Sequence, residues 1–206
     1  MGTLIGVGSV MFHGTLRHKM QLLDELPEVY LASVLFFTCV ETRHGRQGLW
    51  LPVFLAMWLA LVTYVASTAA GSTQFIFFQS SFAFMHLWII YYVVDQYHVQ
   101  TKHRPSLDQR WLGRRALASY AFAVSIWLID LKLCEYTNGL SPTSWTPFPL
   151  HLHAWWHIFS ALGVYLTLAL VCLQHYESMQ LRPYMYIWKG ILPAIGLHGA
   201  THDKVA

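Results

Sequence analysis

Two histidines in the last third of the chain have the spacing of metal ligands. In the segment LHLHAWWHIFSALG, His153 and His157 lie four residues apart, so on a helix they stack on one face, about 6 Å apart. That separation suits two imidazoles on one metal ion. His13, in the early segment GVGSVMFHGTL, could supply a third imidazole from another helix. Three imidazoles with an open fourth position are typical of a catalytic zinc, which activates a bound water.

Two carboxylates and a hydroxyl accompany these histidines. Asp24 follows His13 in the next polar segment and could accept a proton from such a water. Ser9 lies four residues before His13 on the same helical face, where its hydroxyl could orient a carbonyl or stabilise an oxyanion. Asp24 could instead be a helix-start residue beside the helix dipole. For Asp130, in WLIDLKLCEY, a supporting role and a plain pairing with a polar neighbour are equally open.

Composition predicts the kind of element that must position these side chains. Hydrophobic residues make up 55% of the 206-residue chain and charged ones 11%, whereas a soluble domain has roughly 25% charged residues. The long apolar runs lack the alternation of a membrane barrel. We therefore predict an all-α, polytopic membrane helical bundle, with membrane lipids as its surroundings.

The net charge of +3 does not indicate a nucleic-acid partner, because the basic residues are spread through connecting segments and not gathered on one face. The three cysteines have no metal-type spacing and are odd in number, so they predict neither a disulfide framework nor a redox site.

Six membrane spans can be drawn, each near the length that the hydrocarbon core requires. The stretch from Tyr184 to Leu197 is apolar, but Pro193 and Gly196 interrupt it, so it is not counted as a seventh span. Residues 1–175 are predicted to form the transmembrane catalytic bundle and residues 176–206 a cytosolic tail. The predicted spans are 2–17, 26–40, 50–70, 75–95, 114–133 and 150–173.

The Lys and Arg residues predict the orientation of these spans. Ten of them flank one side and three the other, which puts the C-terminus in the cytosol. The connections 18–25, 71–74 and 134–149 then face the lumen or exterior. His13, Asp24, Asp130, His153 and His157 all fall in this luminal half, so a common site is feasible.

Other residues within the spans are expected to be structural. Gly6 and Gly8 are interpreted as close-packing positions between helices. His86, in the middle of the fourth span, is interpreted as a hydrogen-bonding residue between helices and not as a metal ligand.

The segments GVGSVMFHGTL with QLLDELP, WLIDLKLCEY and HAWWHIFSALGVY together resemble the alkaline ceramidase family, intramembrane amidases related in architecture to the adiponectin and progestin receptors. The resemblance implies zinc held by His13, His153 and His157, assistance from Asp24 and Ser9, and a structural or supporting Asp130. It also implies hydrolysis of a ceramide lipid to a sphingoid base and a fatty acid in the endoplasmic reticulum or Golgi. The Tyr-rich character is similar to the fungal and plant branch, which favours phytoceramide or dihydroceramide.

Two departures from the family pattern affect this expectation. The family has seven spans, and its first span, with the acidic segment that binds calcium, has no counterpart here, so the calcium site is expected to be absent. In addition, Glu28 stands in DELPE where the family usually has D-E-L-P-M. This second carboxylate lies one helical turn from Asp24 and could act on it or reach the membrane interface.

Three alternatives remain open at this point. One is a signalling receptor with a structural zinc, as the architecture shared with the adiponectin receptors permits. Another is an inactive, truncated ceramidase. A third is a metal or proton transporter, which would need polar groups in both halves of the membrane, whereas the sequence indicates almost none in the cytosolic half.

Overall fold

The fold is described from a computed structural model that covers residues 2–15, 17–69, 71–102, 107–137, 139, 142–145, 151–189 and 192–197. Within these residues lie six α-helices and one two-stranded sheet. The helices are α1 (Gly2–Thr15), α2 (His18–His44), α3 (Trp50–Thr68), α4 (Gly71–Thr101), α5 (Leu107–Thr137) and α6 (Leu152–Ser178), and the strands are β1 (Pro183–Trp188) and β2 (Leu192–Leu197).

The expected class, an all-α polytopic membrane protein, is confirmed. Four helices, α3 to α6, are long and apolar enough to cross a membrane, whereas α1 is a shorter apolar helix. Helix α2 is not among the four, because charged residues at both of its ends dilute its apolar middle. Large apolar side chains such as Met57, Tyr64 and Leu87 are exposed on α3 and α4, as expected of helices that face lipid.

Several connections expected from the sequence are helical. Residues 18–25 form the first turns of α2, α4 begins at Gly71, and α5 continues to Thr137. Pro27 lies inside α2, so it does not mark the start of the helix as the expected boundary at residue 26 implied. Most of the expected connection 138–150, and the tail from residue 198, lie outside the described residues.

The chain divides into two compact units, Met1–Arg104 with Gln174–Gln180, and Pro105–Leu173 with Leu181–Ala206. In the first unit α2 packs against α1, α3 and α4. Val29, Val62 and Phe78 form a buried core there, one from each of α2, α3 and α4. The division into a bundle ending at residue 175 and a cytosolic tail stays a prediction.

In the second unit, helices α5 and α6 approach closely. Ser119 donates a hydrogen bond to the carbonyl oxygen of Phe159 at 2.7 Å, and a Cβ added to Gly163 would lie 3.0 Å from the ring of Tyr120. Gly163 is therefore a position where a side chain would separate the two helices. Gly113 lies beside Leu170 near the start of α5, and Asp130 lies beside His153 near its end. The numbers rise along α5 as they fall along α6, so the two helices are antiparallel.

The stretch that the sequence left as a broken apolar segment is a β-hairpin. Strands β1 and β2 are antiparallel, with Tyr184 opposite Gly196. The Tyr184 ring covers the position where Gly196 lacks a side chain, an arrangement that compensates for glycine in a strand. The residues that ruled out a seventh span thus form sheet, which the all-α expectation did not include.

Candidate metal centre

The two histidines at the start of α6 lie together as their spacing predicted. The ring centroids of His153 and His157 are 4.9 Å apart at an interplanar angle of 80°, and both residues are half-buried. The helical repeat alone produces this proximity, because residues four apart share a face. The pair supplies two imidazoles from one rigid element.

Asp130 of α5 contacts this pair. Its Oδ2 atom lies 3.3 Å from Nδ1 of His153, and the Asp130 side chain is 22% exposed. Metal-binding histidines commonly donate one ring N–H to a carboxylate, which fixes the tautomer and the ring orientation. In that tautomer Nε2 of His153 is the nitrogen that would bind a metal. The contact fits both interpretations that the sequence left open, a supporting role and a plain pairing with a polar neighbour, so the role of Asp130 stays a prediction.

Ser9, His13 and Asp24 lie in the first unit. Ser9 and His13 are four residues apart on α1, and Asp24 is buried on α2, at 7% exposure. The side chains of His13 and Phe12 have ring centroids 5.0 Å apart. The assignment of His13 to the same metal as His153 and His157, and the roles of Ser9 and Asp24, stay predictions.

Gly8 brings α1 and α2 together beside Ser9 and Asp24. A Cβ on Gly8 would lie 2.6 Å from the carbonyl carbon of Leu23 and 3.0 Å from the backbone nitrogen of Asp24. The Leu23 carbonyl is the one that Pro27 cannot hydrogen-bond, because proline has no N–H. The Gly8 backbone therefore packs on the interruption that Pro27 makes in the α2 hydrogen-bond ladder.

Close packing, expected of both glycines, is thus confirmed for Gly8. It is wrong for Gly6, which has no neighbouring atom within 4 Å of an added Cβ among the described residues.

The sequence reasoning missed the polar neighbours of Glu25. Gln21 donates to Glu25 Oε1 at 2.8 Å, and Gln74 of α4 donates to Oε2 at 3.2 Å. Gln74 is 3% exposed, and buried polar side chains need such partners. Gln74, a glutamine in an apolar helix, indicated that a polar partner was needed. The sequence did not identify that partner, because Glu25 lies 49 residues away.

A second polar network, also missed, joins the C-terminal parts of α2, α4 and α6 in the first unit. Arg43 pairs with Asp95, and Thr42 Oγ1 lies 2.8 Å from Nδ1 of His175. Gln174 donates to the carbonyl oxygen of Val93 at 3.0 Å. The predicted topology, which stays a prediction, puts this network on the cytosolic side, where the sequence indicated almost no polar groups. The transporter alternative therefore stays open.

His86 makes a hydrogen bond within α4. Its Nδ1 atom lies 3.0 Å from the carbonyl oxygen of Phe82, and the two rings are 4.0 Å apart. This contact lies within one helix, so the hydrogen bond between helices that the sequence interpretation expected of His86 stays a prediction.

The helices and the carboxylate-supported histidine pair define a polytopic membrane protein with a candidate metal centre. Residues 1–196 match the family model described as Ceramidase, and the chain therefore belongs to the Ceramidase family. This confirms the family and the enzyme class expected from the sequence, a hydrolase of the ceramidase type.

Curated relatives agree with this assignment. Alkaline ceramidase 3 of Mus musculus is 27% identical over 197 residues, which cover 94% of this chain and 71% of that protein. An alkaline ceramidase of Saccharomyces cerevisiae is 27% identical over 205 residues, covering 90% of this chain and 64% of the relative. An alkaline ceramidase of Drosophila melanogaster is 28% identical over 189 residues, covering 90% and 62%. The chain thus spans 62–71% of the length of these three relatives.

Proposed function

We propose that this chain is a zinc-dependent intramembrane amidase that hydrolyses ceramide to a sphingoid base and a free fatty acid. The observation that carries the proposal is the contact of Asp130 with His153, one helical turn from His157, in a chain of the Ceramidase family. A carboxylate on the far nitrogen of a histidine is the usual outer support of a metal ligand.

The donor set fits zinc. His13, His153 and His157 would hold the metal through neutral imidazoles, which zinc accepts readily and which leave a coordination position for water or substrate. Bound there, zinc supplies Lewis acidity toward the amide carbonyl and toward a water molecule. Asp130 would keep the His153 ring in the tautomer and orientation that a ligand requires.

Asp24 would act as the general base and then as the general acid. Amide hydrolysis needs a proton removed from the attacking water and a proton given to the leaving amine, and one carboxylate can do both in turn. Asp24 is buried on the helix that Gly8 holds against α1, so its backbone is fixed relative to the helix that carries Ser9. The Ser9 hydroxyl would donate to the substrate carbonyl oxygen and stabilise its developing charge.

The proposed substrate class is ceramide, with phytoceramide or dihydroceramide favoured. A ceramide carries two long apolar chains and a small polar head, so it resides in the bilayer and reaches intramembrane residues from the side. The relatives are named alkaline ceramidases, and the proposal extends that activity to this chain. We place the protein in the endoplasmic reticulum or Golgi, with its C-terminus in the cytosol.

The alternative function is a membrane signalling protein in which the same zinc is structural. It uses the same ligands but gives Asp24 no chemical role. A variant that keeps its zinc and loses hydrolysis separates the two functions.

The test is hydrolysis of fluorescently labelled phytoceramide, dihydroceramide and ceramide by protein purified in detergent. We expect release of labelled fatty acid, loss of release after treatment with a strong chelator, and recovery when zinc is returned in slight excess. Magnesium or calcium at the same concentration serves as the control and should not restore activity, because imidazole ligands suit zinc and not these hard cations. Chelator-insensitive hydrolysis, or none with any of the three lipids, would reject the proposal.

A further inference from the structure

A groove in the second unit has neither His153 nor His157 among its lining residues. It has a volume of about 460 Å³ and is formed by one face each of α5 and α6 together with the start of β2. Phe122 and Phe159 lie at one end, where their ring centroids are 4.6 Å apart. Trp111 and Arg115 line the part of α5 at the other end.

The length of the groove matches one leaflet of a bilayer. From Trp111 to Phe122 the helix rises about 16 Å at 1.5 Å per residue, and the hydrocarbon core of a bilayer is about 30 Å thick. Arg115 lies at the edge of the predicted apolar span 114–133, whereas Phe122 lies well inside it. The groove thus runs from the membrane surface to about the midplane, as an acyl chain does.

The walls of the groove are apolar and held in place. The lining residues other than Arg115 and Ser119 are apolar, Phe122, Leu162 and Leu166 among them. The Ser119 hydroxyl in the groove already donates to the carbonyl oxygen of Phe159. The hairpin is fixed beside it, because Tyr165 donates a hydrogen bond of 2.6 Å to the carbonyl oxygen of Pro193. Such a surface suits a hydrocarbon chain and offers little to a polar ligand.

Arg115 supplies a positive charge at the surface end. It is the charged residue among those that line the groove, and its guanidinium carbon lies 4.3 Å from the centroid of the Trp111 ring. The described residues place no carboxylate in an ion pair with it. A guanidinium stacked on an aromatic face is oriented to bind phosphate through its N–H edge.

The Arg115 charge would complement a phosphate, and the groove is as long as one leaflet of a bilayer. We therefore infer that the groove binds an anionic glycerophospholipid, with one acyl chain along α5 and α6 and the phosphate on Arg115. Ceramide has no charge to pair with Arg115, so this site is distinct from the proposed substrate site. The bilayer around a membrane protein supplies the ligand.

The test is lipid retention measured by native mass spectrometry on protein purified in detergent and exchanged into an equimolar mixture of phosphatidylglycerol and phosphatidylcholine. Arg115→Gln is compared with Arg114→Gln, which removes the adjacent, exposed arginine. We expect the wild type and Arg114→Gln to retain phosphatidylglycerol, and Arg115→Gln to bind it about tenfold more weakly, the usual effect of one charge-assisted hydrogen-bonded contact.

A second pair of variants tests the acyl-chain part of the groove without touching charge. Leu162→Trp fills the groove and should abolish retention, whereas Leu168→Trp places the same ring at an exposed position of α6 and should not. Equal retention by the two arginine variants, or by the two tryptophan variants, would overturn the inference. The inference would also be overturned if the protein retained palmitic acid in an Arg115-dependent way and retained no phosphatidylglycerol. The occupant would then be a free fatty acid.

Discussion

The carboxylate of Asp130 lies 3.3 Å from Nδ1 of His153, across the interface of two antiparallel helices. This contact orients an imidazole whose helical neighbour at one turn is a second imidazole, His157. As part of a candidate metal centre, this arrangement is more specific than the two histidines alone, because an unsupported ring can rotate away from a metal.

Asp130→Ala should weaken zinc binding about 10- to 100-fold, the usual effect of removing an outer-shell partner. Asp130→Asn should weaken it less, because its amide oxygen can still accept the histidine N–H. Chelator competition on purified protein measures both. Asp108→Asn, at the opposite end of α5, serves as the control. Wild-type zinc affinity in Asp130→Ala would show that the contact with His153 does not support a ligand.

Asp24→Asn should reduce ceramide hydrolysis by a factor of about 10² or more, since it removes the proposed acid and base, while zinc content stays at the wild-type level. Hydrolysis rates and metal analysis on the same preparation test this. Glu41→Gln, near the other end of α2, should hydrolyse normally. Full activity in Asp24→Asn would favour a bystander role for this carboxylate.

Gly8→Ala should destabilise the first unit by about 1–3 kcal/mol, because the added methyl group overlaps the Leu23 carbonyl and α1 must move away from α2. Thermal unfolding in detergent measures the loss. Gly6→Ala is the matched control on the same helix: its methyl group has no atom of the described residues within 4 Å, so stability should hold or rise slightly. An equal effect of both substitutions would argue against close packing at Gly8.

Gln74→Leu should cost about 1.5–3 kcal/mol of stability, since it removes a buried hydrogen bond to the Glu25 carboxylate. The same unfolding experiment tests it. Gln79→Leu, a half-buried glutamine of the same helix, should unfold near the wild-type temperature. If Gln74→Leu unfolds there too, the hydrogen bond to Glu25 contributes little.

The parts of the structure that the sequence predicted are those determined by local periodicity. The proximity of His153 and His157 follows from the helical repeat, and the existence of the helices follows from their apolar length. The predicted spans 26–40 and 114–133 are shorter than helices α2 and α5. Charged residues and Pro27 suggested loops there, although a helix at a membrane surface can contain charged residues and a proline.

Features that depend on the register between helices were not predicted. The Asp130–His153 contact requires α5 and α6 to align across 23 residues of sequence, and the Gln74–Glu25 contact spans 49. The hairpin was missed because Pro193 and Gly196 were read as interruptions of a helix, whereas Gly196 is the residue that Tyr184 covers in the sheet.

The most direct test of the central claim is zinc content and phytoceramide hydrolysis measured in one detergent-purified sample of wild type and of His157→Ala. His98→Ala, an exposed histidine of α4, is the control. The account predicts about one zinc per chain with hydrolysis in the wild type and in His98→Ala, and loss of both in His157→Ala. Unchanged zinc and hydrolysis in His157→Ala would contradict it.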